Sequence, residues 1–142
     1  MRNVTLFSGL LVVAALTVGY TYAGQSRQGP LEGAWEAAGD QPGLVLFTEG
    51  HYSFMFVWRS RELFADAANP TDAESLAAWG GIITNSGTYE VSGSVVRLRI
   101  MVAKHPNAMA EGGLSTFEYS IQGDTLRMNP GRGPEWTLVR LR

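Results

Sequence analysis

Two stripes of aromatic side chains are the residues of this chain best suited to holding a small molecule. In Tyr52-Ser53-Phe54-Met55-Phe56-Val57-Trp58 every even position is aromatic. Successive side chains of an extended strand point to opposite faces, so Tyr52, Phe54, Phe56 and Trp58 share one face. Phe117 and Tyr119 alternate in the same way with Thr116, Glu118 and Ser120. Two such stripes inside a closed sheet, with Tyr89 as a further candidate, would bind an apolar or amphiphilic molecule. Binding would come mainly from burial, at roughly 25 cal/mol per Å² of apolar surface. A solid aromatic core has the same alternation, so a hollow and a filled interior both remain open.

A charged alternative lies on the segment 95–103. Val96, Leu98, Ile100 and Val102 fall on one face of that strand; Arg97, Arg99 and Met101 fall on the other. With the aliphatic face inward, the arginines are a solvated outer surface, the arrangement that avoids burying unpaired charge. With the strand turned over, Arg97 and Arg99 become a possible contact for an anion such as a carboxylate.

Catalytic and metal constellations are not found. The two histidines are His51, after a turn glycine, and His105, before Pro106, and no spacing supplies a third ligand. There is no nucleophile elbow, phosphate loop or dinucleotide fingerprint. Glu90 alternates away from Tyr89 and Val91 and is read as outward. No catalytic residue is therefore assigned, and no cofactor or metal is expected.

The elements that must position the aromatics are short strands between tight turns. Gly39 to Gly43, Glu49-Gly50, Ser92-Gly93, Gly123-Asp124 and Pro130 to Pro134 carry turn chemistry. Strands are expected near 33–38, 44–48, 51–58, 86–91, 95–103, 115–121, 125–129 and 135–141. Hairpin spacing makes them an antiparallel meander, and eight strands close most readily into a barrel without exposed edges. The expected fold is all-β: an eight-stranded antiparallel barrel with one short helix between the third and fourth strands. That helix starts at Thr71, where Glu74 completes a capping box, and ends at Gly80-Gly81. It is read as a plug that packs Leu76 and Trp79 on one end of the barrel, the alternative being a lid.

Composition bounds the function. The chain has 142 residues, no cysteine and a formal charge of −2. One domain fits that length, and a disulfide scaffold or thiol nucleophile is excluded. Ten arginines stand against one lysine, but they are scattered on an acidic chain, and no nucleic-acid partner is expected. Residues 1–23 have the form of a secretory signal: Arg2, an apolar run from Leu6 to Gly19, and Thr21-Tyr22-Ala23 before the cut. The expected organisation is a cleaved signal over 1–23, a flexible lead over 24–30 and a barrel over 31–142. The product would be exported, periplasmic or secreted, and without a stable membrane span once cut.

Several segments in order resemble the bacterial lipocalin-like domains. These are Gly33-Ala34-Trp35 on the first strand, Gly43 to Ser53 across the first hairpin, Gly87-Thr88-Tyr89 after the helix, and Trp136 to Leu141 at the close. The resemblance implies a small-molecule barrel in which Trp35 is packed by Arg140 across the closed end. Gly33, Trp35 and Arg140 are then structural. The chain departs from that group at Arg97 and Arg99, and from classical secreted lipocalins in lacking disulfides and in being shorter. Three functions follow as expectations: a carrier of a small apolar or amphiphilic ligand, a cyclase or isomerase in the same barrel, and a loop-mediated protein binder or inhibitor.

Overall fold

The structure is a computed structural model that describes residues 29–110 and 113–142. The expected signal and most of the lead lie outside the described residues. Eight strands form one closed barrel in sequential order, every neighbouring pair antiparallel. They are β1 (Gly33–Ala37), β2 (Gly43–Thr48), β3 (His51–Val57), β4 (Ile82–Ser92), β5 (Val95–Ala103), β6 (Leu114–Gln122), β7 (Thr125–Asn129) and β8 (Trp136–Arg140). β1 pairs with β8, with Trp35 opposite Arg140, and closes the ring. Helix α1 (Asp72–Gly80) lies between β3 and β4, as expected, and a short α2 (Pro106–Ala110) follows β5.

The two ends of the barrel differ because its connections differ. The tight β2–β3, β4–β5 and β6–β7 turns gather at one end with Leu31 and Arg140. The β1–β2, β3–β4, β5–β6 and β7–β8 connections, with both helices, gather at the other. The first end is filled: Leu31, Trp35, Val96, Leu126, Met128 and Leu138 have no solvent exposure. Period-two alternation produces this core, since the residues between them on β5 and β7, Arg97 and Arg127, stand outside.

Gly43 shows how tightly the aromatic stripe fits. A Cβ there would lie 2.2 Å from the Phe56 ring, so the ring's close approach to β2 depends on glycine at this position.

Three expectations are corrected. The fourth strand begins at Ile82, not near 86, because pairing with β3 extends it past a weakly apolar stretch. The register shifts between Ser86 and Gly87. This bulge rephases the end of β5, so Met101 and Val102 are both exposed, and Ala103 takes the inward place expected for Val102. Helix α1 is not a plug. It has no buried residue, and Leu76 and Trp79 are 72% and 52% exposed.

Candidate functional site

The open end holds a cavity of about 570 Å³. Its floor and wall are Phe56, Phe117 and Trp136, with Ala37 and Ile83 beside them and the fully buried Leu138 beneath. Trp58, just past the end of β3, and the loops at Asp40 and at Arg132 to Pro134 form the rim. Each wall residue belongs to the inward set of its strand, so the cup is the unfilled upper half of the barrel whose lower half is the core.

Trp136 divides the two halves. Its ring centroid is 4.8 Å from Phe56 on β3, 4.8 Å from Phe117 on β6 and 5.0 Å from Phe54 on β3. Neither β3 nor β6 is a neighbour of β8 in the ring of strands, so the indole spans the lumen. The contacts are tilted or edge-on, the arrangement aromatic quadrupoles favour.

The aromatic candidates separate by level. Phe56, Trp58 and Phe117 border the cup. Phe54 lies against Trp136, 5% exposed, and Tyr52 lies lower still, 3% exposed. Tyr52 donates its hydroxyl to Asn85 Oδ1 at 2.7 Å, and burial pushes its pKa up to about 12, so it stays neutral. Tyr89 packs edge-on against Phe47 near the closed end, its pKa raised by burial and by the charge of Glu32. Tyr119 reaches the same end, where its hydroxyl donates to the Gly93 carbonyl at 3.1 Å. Arg97 and Arg99 project outside the barrel, exposed, with Arg97 opposite Glu90. The inward alternative for these arginines is therefore corrected: β5 keeps its aliphatic face inside, where no charge has to be desolvated.

Sequence reasoning missed Trp136 as a wall residue. Its signal is the alternation of Trp136, Leu138 and Arg140 on one face, the same period-two pattern that marks the aromatic stripes. The rim residues come from loops, whose approach to one another no strand periodicity encodes.

Charge is confined to the rim. Asp40, Arg132 and Glu135 border the cup, and Glu135 accepts a hydrogen bond from Arg127 at 3.0 Å. Arg59 lies over the Trp58 ring, its Cζ 5.0 Å from the ring centre.

Beside the rim, α1 is tied down by polar contacts instead of packing. Lys104 Nζ donates to the carbonyls of Trp79 and Ile82, the latter at 2.7 Å, and sits 5.3 Å from the Trp79 ring centre. Trp58 Nε1 donates to the Gly80 carbonyl at 3.2 Å. At the N-terminus the capping box forms in full: Thr71 Oγ1 accepts from Glu74 N, and Glu74 accepts from Thr71 N.

At the closed end the Arg140 guanidinium lies 4.0 Å from the centre of the Trp35 ring. It donates to the Glu32 carbonyl at 2.7 Å and to the Pro30 carbonyl at 3.2 Å, while Trp35 Nε1 donates to Leu31 O at 2.7 Å. Gly33 has a φ of +128°, and a Cβ there would stand 2.8 Å from Arg140 Nη1.

No family model and no curated protein matches the sequence. Among solved structures, the chain is similar to a lipocalin-like protein from Bacteroides uniformis. The identity is 17% over 80% of this chain and all of that one, with a TM-score of 0.48. The closed eight-stranded antiparallel meander seen here is the barrel that the sequence resemblance implied.

Proposed function

We propose that this barrel is an exported carrier that binds a small apolar or amphiphilic molecule in the cup at its open end. The cavity of about 570 Å³ above Trp136 carries the reading, since it falls in the size range of small-molecule sites and its wall is aromatic and aliphatic. The two carboxylates that border it, Asp40 and Glu135, sit on the rim and not at the wall, an arrangement that suits binding and orientation more than acid–base chemistry. The polar rim suits an amphiphile whose head stays in water while its apolar part is buried.

Export rests on the signal-like residues 1–23. No helix of the described residues is long and apolar enough to cross a membrane. N-terminal sequencing of the protein from the exporting cell should begin at Gly24.

Binding is tested by native mass spectrometry of gently purified protein, followed by titration with an apolar fluorophore. Trp58→Arg, at an exposed rim position, should leave the barrel folded and weaken uptake about tenfold or more. Unchanged uptake in the folded variant would remove the cup from the reading.

A further inference from the structure

The depth of the cup restricts what it can hold. The Trp136 ring reaches from β8 to Phe56 on one side and Phe117 on the other, so it lies across the lumen instead of along its wall. Below it the barrel is filled: Leu126, Met128 and Leu138 have no exposure and Phe54 is 5% exposed. Trp58 at the rim is four residues from Phe54 beneath the floor. At about 3.4 Å per residue and a strand tilt of about 40°, that separation is roughly 10 Å along the barrel axis, so the cup above the indole is shallower than about 10 Å. Its width is set by aromatic side chains: Phe56 and Phe117 are each tilted against Trp136, and all three border the cup.

We infer that Trp136 is the residue that sets ligand length, and that the cup takes a short, flat, ring-bearing molecule in preference to a long acyl chain. This rests on the proposed binding function and deepens it. A rigid two- or three-ring ligand fills the depth with little loss of internal freedom and meets ring faces on its way down. A long chain can bury only its first segment above the indole. Each further methylene stays in water and adds nothing, whereas a buried methylene raises affinity about fourfold.

The test is calorimetric titration of the protein with straight-chain alkanoates from hexanoate to palmitate, and with 2-naphthoate and anthracene-2-carboxylate. All carry the same carboxylate head, so length and shape are the variables. Affinity should climb about fourfold per methylene through the short acids and level off near decanoate. 2-Naphthoate should bind about tenfold more tightly than octanoate. In Trp136→Ala the levelling should move to chains several carbons longer, while naphthoate weakens. Trp136→Leu, which keeps more of the packing, should move it less and serves if the alanine variant does not fold by circular dichroism. Affinity that keeps climbing through palmitate would overturn the inference and leave the binding function standing. So would an unmoved plateau in a folded Trp136 variant. Failure of every acid to bind would overturn both.

Discussion

The guanidinium of Arg140 is held over the Trp35 ring, its Cζ 4.0 Å from the ring centre, by two backbone carbonyls from the segment that leads into β1. One side chain thus joins the last strand to the first and ties down Pro30 and Glu32, which lie outside the ladder. Arg140→Met should keep the packing volume but lose the charge-assisted hydrogen bonds and the ring contact. A loss of about 2–4 kcal/mol is expected in urea unfolding, against about 1–2 for Arg140→Lys, which keeps a point charge but not the fork.

Gly33→Ala should destabilise the same corner. It places a side chain at a φ of +128° and 2.8 Å from a guanidinium that its own bonds prevent from moving. About 1–3 kcal/mol is expected in the same assay. A variant as stable as the parent would mean the corner is looser than this geometry.

Lys104 holds the exposed helix to the barrel. Lys104→Met should leave the barrel's melting temperature nearly unchanged, since α1 buries no residue. Amide exchange over residues 72–81 should rise severalfold, because the carbonyls of Trp79 and Ile82 lose their shared donor.

Glu74 makes the other end of α1 acid-sensitive. Hydrogen bonds from Ala65 N, Thr71 Oγ1 and Thr71 N hold its pKa down at about 2, from an ordinary 4.5. A depressed carboxylate contributes stability that is present above pH 4.5 and lost as pH falls toward 2. Protection of α1 amides should therefore fade across that window, and Glu74→Gln should show weaker protection at neutral pH with less dependence on acid.

Tyr52 acts at the alkaline side. Its folded pKa of about 12 lies above the ordinary 10, so the folded state keeps a proton that the unfolded state releases. Stability from this residue is flat below pH 10 and falls between about 10 and 12, by at most about 1.4 kcal/mol per pH unit. Tyr52→Phe should flatten that decline in pH-dependent unfolding, after a loss of about 1 kcal/mol from the missing bond to Asn85.

Much of this molecule follows from local rules acting along the chain. Alternation in β3, β5 and β6 assigns the inner and outer faces, turn residues mark the hairpins, and Thr71 with Glu74 marks the start of α1; each depends on neighbours a few residues away. The same rules failed where the backbone departs from strict period. The bulge at Ser86/Gly87 moved Val102 outward, and no local pattern announces a bulge. They also failed for Leu76 and Trp79: their apolar character suggested burial, yet the helix is held by Lys104 and Trp58, residues remote in sequence.

Strand number, order and inward faces were thus legible from residue type and spacing, because a closed meander needs only period-two patterning and short turns. Which aromatics are core and which border the cup was not, because Tyr52, Phe54, Phe56 and Trp58 are identical in pattern and differ only in height along the barrel. That height has meaning only once β8 is laid across the lumen from β3 and the Trp136 ring fills the space between them. Folding brings these residues together over eighty positions of chain, and steric filling at that level separates a solid half from an open one.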